Sequence, residues 1–326
     1  MSKRDLGASV RQRLLNQAHE QGRPFQELLQ YFVMERFLYR LSKSQFRDSF
    51  ILKGALLLTA WRAPQSRPTM DIDLLGRTDN SLEHIRFVVE EICGLAVEQD
   101  GAEFRKETIE IQRIKEDAEY EGARVRLTAM VSKARLVVQI DIGFGDSIIP
   151  RPTEIEYPVL LEFPVPKLLA YPRETVVAEK LEAIPVLGVL NSRMKDYFDL
   201  MLLSQLYEFD GAVLHRAVRA TFKRRSTEVE PMPIGLSDHF ALVPGKAAQW
   251  KAFLRRSRFE TGYANLDGVI RIVRGFAGPV FNSSCNRGRI SVSLEARWAV
   301  GSLGSDQLWV EGPLPYVDRL PREQAA

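Results

Sequence analysis

Asp71 and Asp73 stand one residue apart in the stretch Thr69-Met70-Asp71-Ile72-Asp73-Leu74-Leu75, whose apolar positions predict a strand. Residues two apart on a strand point to the same face, so the two carboxylates would stand side by side. Held in that register, each disfavours the ionised form of the other unless a cation lies between them. Oxygen ligands suit Mg²⁺ or Mn²⁺, and Mg²⁺ is usually held by one or two carboxylates together with substrate phosphates. Asp141 is the lone acid of RLVVQIDIGFG, residues 135–145, which alternates as a strand does. An unpaired charge on such a strand is costly, which makes Asp141 a third candidate ligand. Together, Asp71, Asp73 and Asp141 would hold two metal ions about 3.5–4 Å apart, clamping the attacking and leaving oxygens of an in-line displacement. A solvated strand edge for the pair, and an exposed strand end near Gly143 for Asp141, are the alternatives.

These acids need elements to hold them. Phe50 to Leu52 reads as an apolar strand running into Lys53-Gly54, and residues 55–61 as a short apolar helix. A glycine turn between a strand and a helix start presents bare N–H groups at a positive dipole end, which suits a phosphate. Lys53, Gly54 and Ala55 are therefore the candidate nucleotide-binding turn. A phosphate cradle followed by an Asp pair on the next strand is a nucleotidyltransferase arrangement.

Two later stretches narrow the reading: Ala178-Glu179-Lys180-Leu181-Glu182-Ala183 and Arg193-Met194-Lys195-Asp196-Tyr197-Phe198-Asp199-Leu200. With them, the chain from about residue 25 to 281 resembles the AbiEii/AbiGii-type (MenT-like) toxin family of the DNA polymerase β-like nucleotidyltransferase superfamily. The resemblance implies transfer of NMP from an NTP to an acceptor hydroxyl, with release of pyrophosphate. It also implies an RNA acceptor, tRNA at its 3′ end foremost, and a toxin–antitoxin or phage-defence setting with an antitoxin encoded nearby. Asp71, Asp73 and Asp141 would then be metal ligands, and Gly54 and Lys180 would bind phosphates. Asp196 would be an active-site acid orienting Lys180 or the acceptor hydroxyl. The family turn is commonly Gly-Gly or Gly-Ser, whereas Gly54-Ala55 keeps the backbone donors and lacks a hydroxyl. From the residues alone, Lys180 also fits a surface pair with Glu179 or Glu182, and Asp196 an acid favoured by a helix dipole.

The 326 residues are 45% hydrophobic, ample for a core, and Lys+Arg 45 against Asp+Glu 42 leaves a net charge of +3. That is too mild to imply nucleic-acid binding by itself, although local patches such as Lys223-Arg224-Arg225 and Arg255-Arg256 with Arg258 are candidates for RNA phosphates. Cys93 and Cys285 are the only cysteines, which excludes a disulfide framework. No apolar run approaches the ~20 residues of a membrane span, and the expected location is the cytoplasm.

The expected fold is α+β: a mixed or antiparallel nucleotidyltransferase-type sheet with helices, followed by a helical C-terminal lobe. Residues 1–48 read as a helical cap with helices over 6–21 and 25–42, the second an apolar stripe with Arg36, Arg40, Lys43 and Arg47 near the mouth of the site. Residues 49–165 read as the catalytic domain, with a helix over 82–95 and strands over 103–114, 122–131, 135–143 and 155–163. Residues 166–281 read as the helical lobe, with helices over 174–186, 193–208, 211–224, 245–257 and 265–274, and residues 282–326 as a loose tail. NMP transfer to a small molecule or a protein, and a non-catalytic nucleotide- or antitoxin-binding protein, are the competing functions.

Overall fold

The structure, a computed structural model, describes residues 5–63, 67–117, 120–259, 265–282 and 289–290. Asp5 starts the first helix, α1 (Leu6–Glu20), by accepting the amide of Ala8 at 3.1 Å. Pro24, with its fixed φ and no N–H to waste, leads into α2 (Phe25–Lys43). The sequence expectation for α2 was a stripe facing the protein, but Leu28 to Ser42 is buried on every side. The charges within it are neutralised locally rather than sent to the site. Arg36 pairs with Glu35 at 3.1 Å, and Arg40 with Asp100 at 2.7 Å. Arg47 pairs with Glu154, and Lys43 lies over the ring of Tyr39. Arg36 and Arg40 are accordingly buried struts of the N-terminal region, whereas Lys43 is exposed and Arg47, beyond the helix, makes a half-exposed pair.

Seven strands form one sheet in the order β3-β4-β5-β2-β1-β7-β6. They are β1 (Phe50–Lys53), β2 (Asp71–Gly76), β3 (Ala102–Asp117), β4 (Tyr120–Val131), β5 (Ala134–Phe144), β6 (Thr153–Glu156) and β7 (Lys167–Ala170). The β2–β5 and β1–β7 pairings are parallel and the others antiparallel. Short α3 (Leu56–Ala60) links β1 to β2, and α4 (Leu82–Gly94) packs on β3. The strand expected over 155–163 is corrected. Pro158 cannot extend a ladder, so β6 ends at Glu156, and β7 adds a strand beyond residue 165 that the sequence did not announce. The connecting loop is fastened to α2, with Leu160 N donating to Glu35 at 2.8 Å and Arg36 donating to Pro164 O at 3.1 Å.

The helical half comprises α5 (Arg173–Leu187), α6 (Met194–Leu206), α7 (Gly211–Arg224), α8 (Asp238–Leu242), α9 (Lys246–Arg256) and α10 (Leu266–Phe281). Helix α10 runs past the expected end at 274 because its apolar face continues through Phe276, Ala277, Val280 and Phe281. Within the segment read as a tail, Arg289–Ile290 forms β9 against β8 (Phe209–Asp210). The remainder of that expectation lies outside the described residues. No helix among the described residues is long and apolar enough to cross a membrane.

Candidate active site

Strand register builds the acid cluster. In the parallel β2–β5 ladder Asp73 is opposite Asp141 and Asp71 opposite Gln139; in the antiparallel β1–β2 ladder Lys53 is opposite Asp73. Cross-strand partners share a face, so Lys53, Asp73 and Asp141 form one row across three strands. Gly54 closes this row. Its φ is +74°, and a Cβ there would sit 2.0 Å from Asp73 Oδ2. Glycine is required twice over, for the left-handed backbone and for the approach of the turn to the carboxylate. Ala55 is buried and caps α3 without any side-chain hydrogen bond.

Burial and like charge act together on the pair. The Asp73 carboxyl is pushed up to about 6, by desolvation first, with Asp141 and Asp71 adding repulsion against the opposing pull of Lys53 and Lys195. Asp71 is raised for the same reasons, desolvation and then Asp141. A carboxylate pair made uncomfortable in this way fits a divalent cation held by oxygen ligands. Asp141, by contrast, already has a partner: Arg124 donates to both its oxygens, at 2.8 and 2.7 Å. Among the described residues, no group of three or more His, Cys, Asp or Glu side chains converges as a metal cage. The donor set therefore fits one ion on Asp71 and Asp73 directly.

Lys180 and Asp196 belong to a second cluster. The Lys180 ammonium lies 2.8 Å from Asp196 Oδ1 and 2.8 Å from Asp199 Oδ2. Arg67 makes a two-point contact to Asp199, with Nε 3.1 Å from Oδ1 and Nη2 3.1 Å from Oδ2. These partners hold the Lys180 ammonium charged although burial opposes it. The alternative surface pairing of Lys180 with Glu179 or Glu182 is excluded, because Arg225 takes both glutamates, at 3.5 and 3.0 Å. Lys53, which also acts on Asp73, is paired with Asp146 at 3.1 Å and lies 4.0 Å from Glu179.

The residue that joins the two clusters is Lys195, which the sequence placed beside Asp196 without giving it a role. From the first turn of α6, its charge acts on both Asp71 and Asp73. Burial lowers its pKa, and Arg67 and Lys180 lower it further against the pull of Asp196 and Asp73. Arg67, Arg193, Lys195, Phe253 and Arg256 line a cavity of about 380 Å³ at this end of α6. Of the two basic clusters expected to face RNA, only the second contributes to it, through Arg256. In the first, Arg224 donates to Gly145 O at 2.6 Å and Arg225 to Asp146 at 3.1 Å, which braces the loop after β5. Arg258 is 3.5 Å from Glu27. The missed residues were Lys195, inside a stretch already singled out, Arg124, which the β4–β5 ladder sets opposite Asp141, and Arg67, which meets Asp199 across 132 positions; the last two needed the fold.

A mixed open sheet presenting an Asp pair against a glycine turn, with a basic cavity beside it, defines a nucleotidyltransferase-type protein. The chain belongs to the AbiEii nucleotidyltransferase toxin family of type IV toxin–antitoxin systems, which it matches over residues 36–268. No curated protein matches it. Among solved structures it is similar to JHP933 from Helicobacter pylori, at 15% identity and a TM-score of 0.46, covering 79% of this chain and 91% of that one. A second H. pylori protein, provisionally designated a nucleotidyltransferase, is 14% identical with a TM-score of 0.43, covering 79% and 94% respectively.

Proposed function

We propose that this chain is a divalent-metal-dependent nucleotidyltransferase toxin that transfers NMP from an NTP to an RNA hydroxyl, with the tRNA 3′ end as acceptor. The observation that carries it is the half-buried Asp71–Asp73 pair, set against Gly54 and faced by Lys195, with Arg193 and Arg256 extending positive charge along the adjoining cavity. A Mg²⁺ or Mn²⁺ ion held by Asp71 and Asp73 would neutralise charge on the polyphosphate. Lys195 and Arg193 bind phosphate oxygens, and Asp196 and Asp199 hold Lys180 ready for the charge that develops on the leaving group. The acceptor oxygen attacks the α-phosphorus and the α–β phosphoanhydride bond breaks. Pyrophosphate leaves with the bonding electrons, and Asp141, once Arg124 is displaced from its oxygens, takes the hydroxyl proton. The type IV toxin–antitoxin family supports an antitoxin partner. The tRNA preference, the phage-defence role and the cytoplasmic location are part of the same proposal and rest on the resemblance of the sequence motifs.

The test is mass analysis of total RNA after incubation with each labelled NTP and Mg²⁺. RNA should gain a nucleotide with the wild type and none with Asp73→Asn. Label appearing only on a small molecule or a protein would overturn the acceptor, and no metal-dependent NTP turnover would leave a non-catalytic binding protein.

A further inference from the structure

Arg124 on β4 is the register partner of Asp141 on β5, and its guanidinium occupies both carboxylate oxygens. Gln139 adds a longer contact to Oδ2 at 3.5 Å and is itself held by Arg126 at 2.9 Å. Two-point pairing of a guanidinium with a carboxylate is the strong, geometrically specific form of the interaction. The charges of Arg124 and Asp141 cancel as a unit, which leaves Asp71 and Asp73 as the carboxylates open to a divalent ion, with Lys53 engaged by Asp146 and Lys195 as the nearby cation. The Arg124 side chain is 30% exposed against 12% for Asp141, so the arginine is the partner with room to move. Its natural alternative ligand is a phosphate, which the guanidinium fork fits as it fits a carboxylate.

We propose that Arg124 is a built-in counter-ion for Asp141. Without nucleotide the site takes a single divalent cation on Asp71 and Asp73, and Asp141 becomes a ligand only when a polyphosphate draws Arg124 away. Arg124 is thus a positioning residue that couples arrival of the second ion to arrival of the nucleotide. The inference rests on the metal-binding reading of the Asp pair given above, and the experiment separates the two.

Mn²⁺ binding to the full chain, without nucleotide, is measured by calorimetry and by the paramagnetic signal of free Mn²⁺, with thermal unfolding as the check on folding. The wild type should bind one Mn²⁺. Arg124→Gln should bind a second, or bind the first at least about tenfold tighter, about 1.4 kcal/mol. The double variant Arg124→Gln with Asp141→Asn removes the pair as a unit and should stay within about threefold of wild type. Unchanged or weaker binding in Arg124→Gln overturns the proposal, because a guanidinium that merely orients a ligand lowers affinity when removed. Loss of binding in the double variant overturns it as well, since Asp141 would then be a ligand without nucleotide. Should Arg124→Gln not fold, Arg124→Lys, which keeps the charge and loses the two-point contact, must bind tighter than wild type or the proposal fails. Wild-type Mn²⁺ binding by Asp73→Asn would overturn the metal reading itself, whatever Arg124 does.

Discussion

Asp73 and Gly54 are one device built from two residues. Replacing Gly54 by Ala forces a side chain into a positive-φ position and drives its methyl onto Asp73 Oδ2, 2.0 Å from where the Cβ must lie. The backbone strain alone is about 1–3 kcal/mol, so thermal unfolding of Gly54→Ala should show at least that loss together with strongly reduced turnover. Asp73 carries its own pH signature. Its carboxyl is raised from 3.8 to about 6, so between those values the folded protein holds more protons than the unfolded chain. Stability then falls as pH rises through that window, the reverse of the usual salt-bridged acid. In chelator at pH 8, Asp73→Asn should therefore be more stable than wild type, by about 1–3 kcal/mol, while being inactive. Denaturant unfolding of both proteins at pH 4 and pH 8 checks this. A variant that is equally less stable at both values would show that Asp73 is a structural acid.

Helices α5 and α6, both rich in buried apolar side chains, are also joined by charge. Asp199 is completely buried between Lys180 and Arg67, and Asp196 completes the set from one helical turn earlier. Removing one member of a buried ion network strands its partners, at a cost of about 3–5 kcal/mol. Lys180→Ala should therefore lose stability on that scale as well as turnover, where a surface pair would have cost about 0–1 kcal/mol. Lys180→Met, which keeps the volume and loses the charge, should behave like Lys180→Ala in denaturant. If instead Lys180→Met is as stable as wild type, packing rather than charge holds α5 to α6. The sequence announced both helices, and even the nearness of Lys180 to Asp196 through the family resemblance. It gave no sign of Arg67, because that arginine lies in a polar loop 132 positions from Asp199 and meets it only through tertiary structure.

Over the whole molecule, the order of elements was legible because periodicity and proline–glycine punctuation are local. The 155–163 strand failed where Pro158 and a tertiary tether at Glu35 outweighed apolar composition. Charge was the least legible quantity, because a run of basic residues does not say what each one faces. Lys223-Arg224-Arg225 is the densest basic run of the helical half, yet Arg225 is spent on Asp146 and Glu182, at 3.1 and 3.0 Å. The cations around the cavity at the start of α6 come instead from separated positions, Arg193, Lys195 and Arg256. That contrast sets opposite expectations for two arginines of the same lobe. If RNA phosphates enter by this cavity, Arg256→Ala should lower the slope of log K against log[salt] by about 0.7–0.9, without selecting among RNA sequences and with little change in melting temperature. Arg225→Ala should leave that slope alone and cost about 3–5 kcal/mol of stability, because Asp146 and Glu182 lose a buried partner. Filter binding of tRNA across a salt series, alongside unfolding of each variant, reads both quantities. A reduced slope in Arg225→Ala with an unchanged one in Arg256→Ala would move the RNA path from the start of α6 to the loop after β5.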